Sequence, residues 1–366
     1  MFRNVYKNKK VFITGHTGFK GAWLTMWLLS MGAEVCGYSD GISTSPSVFN
    51  ELGIAGRITH HQGDVRDLAE LTLAIHDFLP DFVFHLAAQA TVALSYDDPL
   101  ATLTTNVIGT ANLLESLRSI DYPCVAVVVT SDKCYEDAGW VWGYREADHL
   151  GGRDIYSGSK GAAEIAIHAY FRSFFSAPDC PIRIATARAG NAIGGGDWAR
   201  GRIVADCMRN WSAGNDVEID SPSATLPWQH VLEPLSGYLN LGLALFNDRK
   251  CSGESFNFGP LAEQNRTLTQ LLTDLKGHLH IPSSDAAYRV TTNVPFHDAG
   301  LLRLNCDKAL FRLNWEASLT YEQCVELVGK WYCAYYKGDV DMQALTLQQI
   351  QFYEAQAKQR ALAWAA

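Results

Sequence analysis

Short apolar runs alternate with longer amphipathic stretches, and a glycine-rich turn joins the first run to the next helix; together these predict an α/β chain. The expected architecture is a doubly wound, Rossmann-like parallel sheet with a smaller, interleaved C-terminal substrate-binding lobe. Candidate strands are Lys10–Thr14, Glu34–Tyr38, Arg57–Gln62, Phe82–Leu86, Val125–Thr130 and Ile182–Ala187, with Val, Ile and Phe contents that suit burial on both faces. Candidate helices between them are Lys20–Met31, Leu68–Leu79, Pro99–Ser119 and Tyr156–Phe175. After Gly190 the alternation gives way to turn-rich sequence that opens with Gly194, Gly195, Gly196 and Trp198. Ser255–Gly259 again reads as a sheet strand, and the chain from Thr267 onward reads as largely helical. The expected division is residues 1–189 as the Rossmann domain, with 230–260 returning to it, and 190–229 with 261–366 as the second lobe.

With 366 residues, 48% of them hydrophobic, the chain can bury a large core. A net charge of -9 argues against non-specific binding to nucleic acid or to a membrane surface, which calls for an excess of Lys and Arg. No apolar run approaches the roughly 18 residues that would span a bilayer. The nine cysteines are scattered without a Cys-x-x-Cys pair, which reads as free thiols in a reducing compartment. A cytoplasmic protein is expected. His60, His61 and His76 read as surface or sheet-edge residues, and no pair of histidines has metal spacing; no metal is implied.

The first strand runs directly into Thr14-Gly15-His16-Thr17-Gly18-Phe19-Lys20-Gly21. Gly15, Gly18 and Gly21 allow a tight turn, close approach of a pyrophosphate and close packing of the helix on the sheet. The helix N-terminus supplies N–H groups and partial positive charge for phosphates. This motif, between a strand and a helix, predicts a dinucleotide site at Gly15, His16, Thr17, Gly18, Phe19 and Gly21, with a glycine-rich loop that holds no ligand as the alternative. Asp40, just past the second strand, stands where a carboxylate binds the adenosine ribose diol and repels the extra phosphate of NADP, so NAD is expected. A solvated turn aspartate is the alternative there. Asp67 reads as a helix cap.

Tyr156 and Lys160 stand four residues apart on a candidate helix, hence on one face. A lysine so placed can stabilise a phenolate and bind a nicotinamide ribose, and the tyrosine can then take a proton from a sugar hydroxyl. The central strand ends in Thr130-Ser131-Asp132-Lys133-Cys134-Tyr135. Oxidation needs only the Ser131 hydroxyl here. Asp132 and Lys133 add an acid and a base, which can run an elimination; a solvated ion pair is the alternative reading.

These motifs, with His85-Leu86-Ala87-Ala88-Gln89, Asn106, Trp142–Glu146, Arg188-Ala189-Gly190-Asn191, Gly194–Trp198 and Pro227-Trp228-Gln229-His230-Val231-Leu232-Glu233-Pro234-Leu235, resemble the CDP-glucose 4,6-dehydratases. These belong to the extended short-chain dehydrogenase/reductases, in the NAD-dependent epimerase/dehydratase family. The resemblance implies further NAD contacts at Asp64, Val65, Leu86, Ala87, Ala88, Gln89 and Asn106, besides Tyr156 and Lys160. It implies substrate contacts at Gln89, Asn191, Arg202, Trp228, Gln229 and His230, and a homodimer formed by the helices around Pro99–Ser119 and Tyr156–Phe175. It also implies a route: C4 oxidation through Tyr156, C5 deprotonation by Lys133, departure of the 6-hydroxyl as water with a proton from Asp132, and hydride return to C6. Lys133 would then be partly neutral, because the nicotinamide and Lys160 charges lower its pKa. A C4 epimerase or oxidoreductase using only Ser131, Tyr156 and Lys160, and a non-catalytic NAD sensor, are the other readings.

Four positions depart from the resemblance: Ala93 and Leu226 replace arginines, Gly201 replaces an aspartate, and Gly300 replaces a polar residue. Arg202 and Arg266 are the candidates to supply the missing positive charge. His16 replaces a glycine of many relatives; its ring is expected to crowd the cofactor phosphates and leave NAD loosely held.

Overall fold

A computed structural model describes the chain apart from residues 220–221, 223–224, 262–263, 280–287 and 292–302 and the side chain of residue 226. Gly300 therefore lies outside the described residues, as does the side chain of Leu226. Seven parallel strands form the central sheet: β1 Lys10–Thr14, β2 Glu34–Ser39, β3 Thr59–Gln62, β4 Phe82–His85, β5 Cys124–Val129, β6 Ile182–Ala189 and β7 Ser255–Phe258. Their order is β7-β6-β5-β4-β1-β2-β3. The winding direction reverses between β1 and β4, and ligands of such sheets bind at that crevice, beyond the carboxyl ends of the strands.

Alternate side chains of the strands enter two separate cores. Val11, Ile13, Phe82, Phe84, Val125 and Val127 enter one; Phe12, Val83, Ala126, Val128 and Ile184 enter the other. Helices α1 (Phe19–Ser30) and α2 (Leu68–Phe78) lie on opposite faces, as do α5 (Leu232–Asn247) and the pair α3 (Gly109–Arg118) and α4 (Ile155–Tyr170). The C-terminal helices α6 (Tyr321–Lys337) and α7 (Met342–Gln359) join the α1 side, where the Trp27 indole donates to Glu354 at 2.9 Å. No helix among the described residues is long and apolar enough to cross a membrane.

Three expectations need correction. The third strand is two residues shorter than expected and all four of its residues are exposed, because Thr-His-His-Gln forms the sheet edge. The Pro99–Ser119 segment is not one regular helix: Pro99–Leu103 passes through a π-helical turn, Thr104–Ile108, into α3. Residues after α4 likewise continue as a π-helical turn, Phe171–Phe175.

Candidate active site and cofactor cleft

Backbone geometry at the first turn explains the glycines. Gly15 has φ +75°, and a Cβ there would sit 2.7 Å from the Ala87 nitrogen; a Cβ on Gly21 would meet the Gly15 oxygen at 2.2 Å. Any side chain would force the β1 turn off both the β4 loop and α1. Gly18 caps α1 without a side-chain hydrogen bond, and the first turn of α1 holds no acidic residue. By contrast, Asp67 caps α2 and Asp154 caps α4. The α1 N–H groups thus remain open to an anionic ligand, which is the arrangement a dinucleotide pyrophosphate requires.

Thr17 anchors the turn through its hydroxyl to Ser39 (2.7 Å) and the Gly41 carbonyl (2.6 Å). Asp40 is exposed at the carboxyl end of β2, and Leu86, Ala87, Ala88 and Gln89 form a partly open loop after β4. Other expected cofactor contacts are committed within the chain. Val65 is buried against Gly109. The Asp64 carboxylate takes the guanidinium fork of Arg66, which holds its carboxyl below the usual range. Asn106, in the π-helical turn, donates to the Gln89 carbonyl (3.0 Å) and Ser159 (2.8 Å) and accepts from the Gln89 N–H (2.9 Å). It cinches the β4 loop to α4 and spends both of its amide hydrogens within the chain. The Gln89 amide is likewise held, by Thr102 and the Thr91 N–H.

The His16 expectation is overturned. Its side chain has no exposed surface. The imidazole turns over Gly37 of β2, where a Cβ would lie 2.3 Å from the ring, and packs edge-on to Phe49. Its Nε2 pairs with His60 Nδ1 at 2.6 Å, and burial lowers its pKa to about 4. A neutral ring facing the sheet edge does not crowd phosphates in the cleft.

The chemistry-bearing side chains meet at the end of β5. Ser131 donates to Asp132 Oδ1 at 2.9 Å, and Lys133 N–H donates to the same oxygen at 2.9 Å. The Tyr156 hydroxyl lies beside Ser131. Burial raises the Tyr156 pKa, while Ser131, Arg202 and Lys133 oppose the rise. Burial likewise raises the Asp132 carboxyl above the usual range against the pull of Lys133, and so favours its protonated form. Gly190 makes room for it: a Cβ there would lie 3.0 Å from Asp132 Oδ2. Lys160 is buried, and desolvation brings its pKa down to about 8. Lys133 is half-exposed.

At the second-lobe side, Asn191 is exposed and Arg202 is held by Asp197 at 2.9 Å. Arg266 lies over the Tyr321 ring at 4.8 Å and pairs with Glu322, turned toward α6. Gly201 has φ +75°, a conformation in which an aspartate is disfavoured. Trp228, Gln229 and His230, expected to touch substrate, are 2%, 1% and 0% exposed. Gln229 donates to the Phe258 carbonyl of β7 at 3.3 Å, and His230 stacks edge-on to Trp23 of α1. These three side chains are core, and the strand Gln229–His230 pairs with Ala192–Ile193 immediately after Asn191.

Lys20 is a further side chain of the site, beyond those expected from the sequence. Its electrostatic neighbours are Arg202, Asp132, Lys160 and Asp197, and burial lowers its pKa to about 8. A cation in the first turn of a helix opposes the helix dipole, so its position alone was a signal that an anion belongs nearby.

A family model for GDP-mannose 4,6 dehydratase matches residues 12–328. Over 354 residues the chain is 40% identical to CDP-glucose 4,6-dehydratase of Salmonella typhimurium, covering 96% of this chain and 98% of that protein. Pal from Bacillus thuringiensis shares the fold at TM-score 0.75 and 24% identity, over 89% of this chain and 99% of that one. So does the dTDP-glucose 4,6-dehydratase DesIV of Streptomyces venezuelae, solved with NAD, at TM-score 0.75 and 19% identity over 88% and 96%. The chain therefore belongs to the GDP-mannose 4,6 dehydratase family of nucleotide-sugar enzymes.

Proposed function

We propose that this chain converts CDP-D-glucose to CDP-4-dehydro-6-deoxy-D-glucose by NAD-dependent dehydration. The carrying observation is the cluster of Ser131, Asp132 and Lys133 beside Tyr156, in a chain 40% identical to a CDP-glucose 4,6-dehydratase over nearly its whole length. An oxidoreductase or epimerase has no use for the Asp132–Lys133 pair.

The uncapped first turn of α1 and the sterically required Gly15 and Gly21 fit a dinucleotide, with Asp40 at its adenosine ribose and Lys160 at its nicotinamide ribose. When bound, NAD supplies the acceptor that takes hydride from C4 and returns it to C6. Tyr156, oriented by Ser131, takes the proton of the 4-hydroxyl. The resulting 4-ketone acidifies C5–H, and Lys133 removes that proton. Asp132, held toward its protonated state by burial, protonates the departing 6-hydroxyl, which leaves as water. As hydride returns to C6, Lys133 gives a proton back at C5, and the redox change cancels within one turnover. Asn191, Arg202 and Lys20 face the substrate side, and Arg202 with Lys20 takes over the charge missing at Ala93 and Leu226.

The second lobe, residues 190–229 and 261–366, is the substrate-binding part, with 230–260 returning to the Rossmann domain. Exposed Leu100, Ile108, Ile165 and Phe174 on the α3 and α4 segments support a homodimer through those helices. Nine free cysteines support a cytoplasmic location. The test is product mass after incubation with NAD and, separately, CDP-, dTDP-, UDP- and GDP-glucose. Loss of one water from the CDP sugar alone supports the reading. Intact sugar in all four, with NAD bound, contradicts it and leaves the sensor alternative.

A further inference from the structure

An ion pair with almost no exposed surface, Glu164 with Arg188, lies directly behind the chemistry. The Arg188 Nε and Nη2 donate to the two carboxylate oxygens at 2.9 and 2.8 Å. Thr130, Thr186 and Ser255 also donate to this carboxylate, so it joins β5, β6 and β7 to α4. Arg188 Nη1 donates to the Tyr135 hydroxyl at 2.7 Å and the Glu146 carbonyl at 3.1 Å, and the guanidinium lies over the Tyr135 ring at 4.9 Å.

The residues held are not arbitrary. Thr130 immediately precedes Ser131, and Tyr135 closes the Ser131–Tyr135 segment, so the pair grips both ends of the loop that carries Ser131, Asp132 and Lys133. Glu164 is one helical turn beyond Lys160 and two beyond Tyr156. Arg188 is two residues before Gly190, which makes room for Asp132. Stability alone does not call for this pair, since apolar residues of similar volume commonly serve as well or better.

We propose that Glu164 and Arg188 are positioning residues of the dehydratase, fixing α4 against the Ser131–Tyr135 loop and setting the charge state of Lys160. The inference rests on the reading of Tyr156 and Lys160 as catalytic. The Glu164 carboxylate favours the Lys160 cation, and Arg188 neutralises that carboxylate. The other groups facing Lys160 are Cys134 of the loop, His85 at the end of β4 and Lys20 of α1. All three remain unchanged in the variants below.

The test compares Glu164→Gln, Arg188→Met, the double Glu164→Gln/Arg188→Gln and the wild type as full-length protein with NAD. The readouts are kcat, KM and the pH profile of CDP-glucose dehydration, with folding checked by circular dichroism. In Glu164→Gln the alkaline limb moves to lower pH by about one unit, the effect of one buried charge near another. In Arg188→Met the unpaired buried carboxyl takes up a proton, so the site again sums to no charge and the limb stays close to that of the wild type. Should either single variant fail to fold, the double variant decides. It carries no net charge change, so its limb stays in place while kcat falls about 10- to 100-fold at unchanged KM, as expected of a small misplacement. A folded double variant with wild-type kcat, or a folded Glu164→Gln with an unmoved limb, overturns the proposal. Tyr156→Phe, assayed in parallel, keeps the two levels apart. Activity surviving in Tyr156→Phe means the catalytic reading itself is wrong; loss there with a fully active double variant removes only the positioning role.

Discussion

The loop after β5 and the Pro227–Leu235 segment stand out equally in the sequence, yet the fold uses them in opposite ways. Ser131, Asp132 and Lys133 gather at the strand end beside Tyr156. Trp228, Gln229 and His230 turn inward, against β7 and α1, and shape the cleft from beneath by holding the strand that follows Asn191. A distinctive run of aromatic and polar residues is as readily a packing joint as a ligand contact. What separates them is location: one run ends a central parallel strand, whereas the other begins a helix that is buried along most of its length.

That contrast can be broken most sharply at Lys133. Lys133→Ala is expected to lower dehydration about 10²- to 10⁴-fold, the range for loss of a general base. Reduction of NAD by CDP-glucose, followed by absorbance, continues because Tyr156 and Ser131 are untouched. Loss of both steps together would deny Lys133 its separate role. Next come the cleft cations: Arg202→Ala and Lys20→Met each raise KM for the nucleotide sugar about 10- to 150-fold, the equivalent of a charge-assisted hydrogen bond of about 1.5–3 kcal/mol. Lys20→Met leaves the melting temperature in place, whereas Arg202→Ala also lowers it by unpairing the buried Asp197 carboxylate. Gln229→Leu and His230→Leu should do the reverse, costing about 1–3 kcal/mol of stability as buried hydrogen-bonding groups with KM nearly unchanged. A raised KM without destabilisation at Gln229 or His230 would restore them to the substrate site.

A pH dependence sharpens the same picture. Burial lowers Lys160 from 10.5 to about 8, so its cation is present below that pH and is lost as pH rises through it. kcat should therefore fall on the alkaline side near pH 8, and Lys160→Arg should remove that limb. The smallest binding effect belongs to His16: His16→Ala should leave NAD affinity, read by fluorescence titration, within about threefold. A large gain in affinity would put the ring back beside the phosphates.

The sheet was legible because buried parallel strands are short, apolar and regularly spaced. Gly15 and Gly21 were legible because close backbone approach admits no Cβ. His16 was misread because its environment depends on Gly37 and on His60 of the edge strand, partners remote in sequence that open a niche for the ring. The bonds between Asn106 and Gln89 were not legible for a related reason: the π-helical turn that aims the side chain leaves no periodic signal. Lys20 carries one sequence signal, a cation at a helix start, but that signal lies inside a glycine motif that dominates the segment.

The central claim is an internal oxidation, elimination and reduction on one sugar, and isotopic labelling tests it most directly. The enzyme would be incubated in D2O with CDP-glucose carrying deuterium at C4, and the product examined by mass spectrometry and NMR. The account predicts loss of one water, the C4 label at C6 of the same molecule and one solvent deuterium at C5. A product of unchanged mass with the label still at C4, or washed out, would contradict it.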